Sequence, residues 1–318
     1  MFTPTMLTRR QAACLPVLAA GCASAGPASP ADLRFANLET LSESVHSGVA
    51  SEDGAQRLTM RLCRYPALGL SWLWIHARIE DRFYSFVDHL APCTNDPVNT
   101  DTDSVAYADK AGALVFRREG RVGAPTAAGA EGVCRAHRSV DSRFGAGDTP
   151  LAAKIRFSPE RLYAGLNRGR TEVFGRGEAE IELGGRSFRF TGPAQFHEQG
   201  QIQPRFTAPF CYATLWGDGA ASTLLITRGR REGYLLEGDR AVNVTSVSIG
   251  PRAPRRAIVI GLADGRRLEG EAVVRQAYTL PITGQIWRGH MVDVELAGRI
   301  YRGHVNDYDI ADGIPYMG

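Results

Sequence analysis

Two adjacent side chains, His197 and Glu198, stand in the densest polar cluster of the chain, Phe196-His197-Glu198-Gln199-Gly200-Gln201. The cluster lies between two aromatic runs, Phe188-Arg189-Phe190 and Phe210-Cys211-Tyr212-Ala213-Thr214-Leu215-Trp216. Read as strands, these runs set an imidazole and a carboxyl at the lip of an apolar cavity. Desolvation there shifts their pKa values and suits them to general acid or base work. The plainer alternative is that Glu198 and Gln199 cap loop amides while His197 packs into a corner. The run begins like a metalloprotease helix, but the position four after His197 is Gln201, and Gly192, Pro193 and Gly200 oppose a helix. Gly-x-Ser-x-Gly, a Gly-rich phosphate loop and Cys-x-x-Cys are all absent, and nothing calls for a metal or a cofactor.

The elements that would position such a site read as β. In the first half, Leu70-Ser-Trp-Leu-Trp-Ile-His-Ala-Arg-Ile79 and Arg82-Phe-Tyr-Ser-Phe-Val-Asp-His89 pair about a turn at Glu80-Asp81. Alternation puts Trp72, Trp74, His76, Ser85, Val87 and His89 on one face and Leu73, Ile75, Ala77, Tyr84, Phe86 and Asp88 on the other. A hairpin apolar on both faces fits a barrel wall covered from outside, or one lining a greasy cavity. In the second half, turn signals at Gly184-Gly185, Gly217-Asp218-Gly219, Gly238-Asp239, Asp264-Gly265 and Ala297-Gly298 separate alternating strands. Such a meander closes most economically into an antiparallel barrel.

Phe157-Ser-Pro-Glu-Arg-Leu-Tyr163 reads as a short helical turn, and the domain boundary is placed near 160–170. That divides the chain into 34–165 and 166–318. The repeat Trp287-Arg288-Gly289-His290 and Tyr301-Arg302-Gly303-His304 reads first as strand geometry and second as a paired-histidine site. Asp96, Asp101 and Asp103 match no defined calcium loop and read as a solvated turn.

Composition excludes some partners and adds an address. Of 37 basic and 34 acidic residues, Arg9 and Arg10 sit in the first 21 residues, which hold no acid, so the remainder carries 35 against 34. That is no nucleic-acid footprint. Thr8-Arg9-Arg10-Gln11, a short apolar run and Leu18-Ala19-Ala20-Gly21-Cys22 read as a twin-arginine export signal over 1–21 that ends in a lipidated cysteine. Residues 22–33 then form a Pro-bearing tether. No apolar run approaches the roughly 20 residues that cross a bilayer, so attachment would be through lipid on Cys22 alone. The expected location is the periplasm-facing surface of a bacterial envelope. Export permits disulfides, and Cys63 with Cys93 is the expected pair because the intervening segment reads as one hairpin. The alternative is that all the cysteines are buried small hydrophobes.

The residues Gly175-Arg-Gly-Glu178, Gly192-Pro-Ala-Gln-Phe-His-Glu-Gln199 and Phe210-Cys-Tyr-Ala-Thr-Leu-Trp216 resemble the second half of the AttH and carotenoid 1,2-hydratase group. The resemblance implies an all-β chain of two lipocalin-like antiparallel β-barrels packed together. It also implies a hydrophobic, isoprenoid- or lipid-like small-molecule ligand and a hydratase, cyclase or isomerase activity. In the group's hydratases a terminal double bond is protonated and water adds to the cation. By position His197 matches the family histidine, with Tyr212 and Trp216 in the aromatic strand after it, although Glu-Gln after that histidine departs from the hydratases' pattern. Residues for hydration are present. Glu198 or Asp88 would supply the proton, the rings of Trp72, Trp74, Tyr212 and Trp216 would stabilise the cation, and His197 would deprotonate water. The rival reading is a non-catalytic periplasmic carrier of lipid or pigment.

Overall fold

A computed structural model describes residues 38–309, except 140, 165–168, 228–229 and 283–284, together with 316–317. The export signal, Cys22 and the tether therefore lie outside the described residues. Within them the chain consists of antiparallel strands and short turns, with one turn of 3-10 helix at Pro66–Leu68.

The first ten strands are β1 (Ser42–Ala50), β2 (Arg57–Tyr65), β3 (Leu70–Ile79), β4 (Arg82–Pro92), β5 (Ser104–Ala108), β6 (Leu114–Arg121), β7 (Ala124–Arg138), β8 (Thr149–Ala164), β9 (Arg170–Leu183) and β10 (Arg186–Gln201). They form one sheet in the order β4-β3-β2-β1-β10-β9-β8-β7-β6-β5, and a further β4–β7 pairing closes all but β5 and β6 into a barrel. The remaining strands are β11 (Phe210–Gly217), β12 (Ala220–Thr227), β13 (Arg230–Glu237), β14 (Arg240–Ile249), β15 (Arg255–Leu262), β16 (Arg267–Ile282), β17 (Gln285–Leu296), β18 (Arg299–Tyr308) and β19 (Tyr316–Met317). Their order is β13-β12-β11-β18-β17-β16-β15-β14-β19, and β13 returns to β14 to close a second barrel. Closure leaves few unpaired strand edges.

The turns explain the register. Ile79 pairs with Arg82 across Glu80 and Asp81, whose φ values of 50° and 58° make a two-residue turn that follows the twist of the strands. Gly184-Gly185 and Ala297-Gly298 close their hairpins in the same way. The faces of the β3–β4 hairpin divide as the alternation predicts. Leu73, Ile75, Ala77 and Tyr84 enter the interior of the first barrel with Met60, Phe116, Phe157 and Phe196. Trp72, Trp74, Phe83 and Val87 face outward and pack on Tyr278, Leu280, Trp287 and Met291 of the second barrel. The outward face is apolar because another barrel covers it.

Both interiors are filled with apolar side chains. In each barrel the first long strand pairs with a late one, β1 with β10 and β11 with β18. These seams face each other. Arg57 reaches across to the carboxylate of Asp293 and donates to the Val292 carbonyl at 2.8 Å.

Several expectations are corrected. The change of sheet falls at 202–209 instead of 160–170, because β8 and β9 continue as a hairpin within the first sheet. Phe157–Tyr163 lies in strand β8, where Pro159 sits at a register shift that spares the ladder a donor proline lacks. The Cys63–Cys93 bridge is not formed, and Cys134 and Cys211 are free as well. Cys63 is level with Trp72 on β3, whereas the Cys93 amide bonds the Gly69 carbonyl. Three residues of strand span ~10 Å, beyond the reach of a disulfide.

Candidate functional site

The strand register assembles a site from residues far apart in sequence. On the outward face of the first barrel, one cross-strand row runs Glu172 (β9), His197 (β10), His46 (β1), Arg61 (β2) and Trp74 (β3). A second row on the same face runs Phe174, Gln195, Gly48, Thr59 and His76, and a third runs Arg170, Gln199, Ser44, Cys63 and Trp72. Facing them from the second barrel are Tyr212, Thr214, Tyr278, Trp287, His304 and Asn306. Between the two walls lies a cavity of about 530 Å³, within the range of small-molecule sites. It occupies the cleft between the barrels, whose interiors are filled.

Close approach at this cleft depends on two glycines. A Cβ on Gly48 would meet Thr59 at 3.1 Å and the Trp216 ring at 3.4 Å. One on Gly289 would fall 2.1 Å from the Tyr278 ring, which lies across β17 toward the cavity.

At one end of the cavity, Arg170 donates to Glu172 Oε1 from Nε at 3.0 Å and from Nη2 at 2.6 Å, and its Nη2 also reaches Tyr212 Oη and His197 Nδ1, the latter at 3.3 Å. Glu172 accepts in addition from Gln195 Nε2 at 3.2 Å, from Tyr212 Oη at 3.2 Å and from Tyr234 Oη at 2.5 Å. Tyr212 and Tyr234 come from the second barrel, so this carboxylate ties the two walls together. Burial works against the charge on Arg170, but Glu172 and the two tyrosines outweigh it and hold its pKa above the usual arginine range. Because the guanidinium donates to His197 Nδ1, the imidazole proton belongs on Nε2.

The histidines are held neutral. Burial, then the charge of Arg170, keeps His197 well below its ordinary pKa, and burial with neighbouring cations does the same for His46. Burial lowers His76 and His304 to about 3 each. The His46 and His197 rings stack at 5.1 Å, and His304 meets His46 edge-on at 6.2 Å. His46 Nδ1 has no hydrogen-bond partner. Among the described residues, no group of three or more His, Cys, Asp or Glu is placed to hold a metal ion.

The residues singled out from sequence scatter. His197, Trp74 and Tyr212 line the cavity. Trp72 stacks on His89 at 4.3 Å behind Trp74, and Trp216 packs beside His304 at 5.5 Å, so both support the wall without lining it. Glu198 does not stand with His197, because neighbours on a strand point to opposite faces. It is turned into the first barrel, where it accepts from Arg118 Nε at 3.0 Å and Tyr107 Oη at 2.9 Å. Burial raises its pKa against the pull of Arg118. Asp88 is half-buried, off the cavity, and caps the Leu90 amide at 2.7 Å. The carboxylates expected to protonate an alkene are therefore absent from the cavity wall. His290 and His304 do not pair either. His290 bonds the Val305 carbonyl within the second barrel, while His304 faces the cleft.

Sequence reading missed His46, Arg61, Arg170 and Glu172. Arg61 stands between Met60 and Leu62, and a strand of that pattern reads as solvent-facing, while His46, Arg170 and Glu172 lie among mixed polar and apolar neighbours that carry no signal of a site.

No family model and no curated protein sequence matches the chain. Solved structures do. The crystal structure of CghA with Sch210972 superposes with a TM-score of 0.52 at 12% identity, covering 87% of this chain and 90% of that one. An AttH-like protein, NE1406 from Nitrosomonas europaea, gives 0.51 at 12% identity over 84% and 92%. Kievitone hydratase from Nectria haematococca gives 0.42 at 7% identity over 88% and 93%. The first two superpositions show that the chain has the double lipocalin-like barrel fold that the resemblance to the AttH and carotenoid 1,2-hydratase group implied.

Proposed function

We propose that the cleft binds a hydrophobic, isoprenoid- or lipid-like small molecule and acts on it as a hydratase, cyclase or isomerase. The observation that carries this reading is the convergence of imidazole, guanidinium and aromatic groups on one cavity between the barrels. A carrier needs a smooth apolar wall, and this wall is studded with oriented polar groups. A protein of the same fold crystallised with a small molecule adds support.

The chemistry differs from protonation by a carboxylic acid. His197, with its proton on Nε2, offers a hydrogen bond to a carbonyl oxygen. His46, stacked against it, is the neutral base that takes a proton from the carbon so activated and returns it elsewhere on the same molecule. Proton return at a new carbon is isomerisation or ring closure. Expulsion of a β-hydroxyl as water is the reverse of hydration.

The test is mass spectrometry of ligand extracted from the purified protein, followed by incubation with that ligand and analysis of the product by chromatographic retention and NMR as well as mass, because isomerisation and ring closure leave the mass unchanged. A new species, lost in His46→Ala and kept in Glu198→Gln, supports the reading. A ligand unchanged by all three measures overturns catalysis and leaves a carrier. We also propose export and anchoring to the bacterial envelope through a lipid on Cys22, on the strength of Leu18-Ala19-Ala20-Gly21-Cys22. Cys22→Ser should move the protein from the membrane to the soluble fraction.

A further inference from the structure

Five arginines are buried and each is paired with a carboxylate, whereas Arg61, half-buried in the cavity wall, is not. Arg57 is paired with Asp293, Arg64 with Glu43, Arg118 with Glu198, Arg170 with Glu172, and Arg256 with Asp307. Arg61, in the middle of the cavity floor, forms no ion pair with a carboxylate among the described residues. Its Nε donates to Ser44 Oγ at 3.2 Å, and its guanidinium lies over the Trp74 ring at 4.5 Å and near the Phe206 ring at 6.0 Å. Burial lowers its pKa to about 10, which leaves it cationic at neutral pH. A ligand that fills the cavity would take this half-buried cation out of water, which is costly without a counter-charge, and the five buried arginines show how this protein avoids that cost.

The surroundings do not supply the missing charge. Arg205 and Arg231 line the same cavity, and the one carboxylate among the lining residues, Glu232, is exposed on β13. With the Trp74 ring against one face of the guanidinium, its edge is the part suited to receive a planar pair of oxygens.

Resting on the cleft being the ligand site, we infer that its ligand is an apolar acid whose carboxylate pairs with Arg61. Arg61 is directly opposite His46 on the neighbouring strand, so the head group would be held beside the proposed base. The apolar body then lies along Trp74, Trp287 and Tyr278.

The probes are retinoic acid and retinol, which share an apolar body and differ in the charge of the end group, read by quenching of tryptophan fluorescence. Wild type should bind the acid at least tenfold more tightly than the alcohol at pH 7.5. Arg61→Met should abolish that preference and leave retinol affinity unchanged. The unliganded variant should melt no lower than wild type, since removal of the unpaired charge offsets the lost Ser44 hydrogen bond and Met keeps an apolar contact with the Trp74 ring. Equal affinity for the two probes in wild type, or an undiminished preference in Arg61→Met, overturns the anchor while the cleft remains a ligand site. Failure of both probes to bind wild type overturns the cleft reading and the anchor together.

Discussion

Two buried Arg–Glu–Tyr clusters sit on opposite faces of the same two-strand ribbon, and they do different things. Inside the first barrel, Glu198 is bound by Arg118 and Tyr107, which come from β6 and β5 of the same sheet. In the cleft, Glu172 is bound by Arg170 of the first barrel and by Tyr212 and Tyr234 of the second. Both are carboxylates hidden from water, and both sit on strands rich in apolar residues. One is complete within the first sheet and stabilises it. The other is completed only when the barrels meet, and it orients a histidine at the cavity. A buried charge cluster is therefore functional or structural according to which surface closes over it.

The largest effects test that contrast. Glu172→Ala strands Arg170 without its counter-charge and removes the acceptor of two tyrosines, so it should cost about 3–5 kcal/mol in denaturant unfolding and abolish retinoid quenching. Glu198→Ala should cost a similar ~3–5 kcal/mol through Arg118 while the folded protein keeps its retinoid affinity. Loss of binding in Glu198→Ala alone would break the comparison.

Acid should weaken the cleft before the interiors. His76, His89 and His304 titrate near 3 when folded, and burial is the first cause of each shift. In the unfolded chain they titrate near ~6.5. Their contribution is therefore fully present above that pH and is lost as the pH falls toward 3, by up to about 1.4 kcal/mol per pH unit for each group. Unfolding free energies at pH 7.5, 6 and 5 should fall accordingly, and His304→Gln should flatten the slope. An unchanged slope would mean that His304 is already charged in the folded protein.

Smaller effects sharpen the picture of the cavity wall. Gly289→Ala should push the Tyr278 ring from its seat at a cost of about 1–3 kcal/mol, with reduced retinoid binding. Asp88→Asn, remote from the cavity, should alter unfolding by no more than about 0.5 kcal/mol and leave binding intact. A large loss of binding there would restore Asp88 to the site.

Much of the local structure is legible in the sequence. The Trp72–His89 hairpin, its turn at Glu80-Asp81 and the division of its faces follow from alternation and turn chemistry, which act over neighbouring residues. His197 is legible as a site residue because it interrupts an aromatic neighbourhood. Glu198 misleads, since adjacency in sequence means opposite faces on a strand. Asp88 misleads for a related reason, because its face of the hairpin is the interior one. Pro159 reads as a helix starter, but its strand accommodates it by a shift in pairing.

The sequence alone therefore determines the all-β class, many of the hairpins and which side chains of the β3–β4 hairpin share a face, because these depend on a two-residue repeat and on local turns. It does not reveal that His46, Arg61, His197 and Glu172 form one row, for their contact depends on the pairing of β9, β10, β1 and β2 across as much as 150 residues of chain. Nor does it reveal that the outer face, normally given to water, is the one that binds. Only the docking of the second barrel removes water from that face, and with it sets the charge state of every histidine in the cleft.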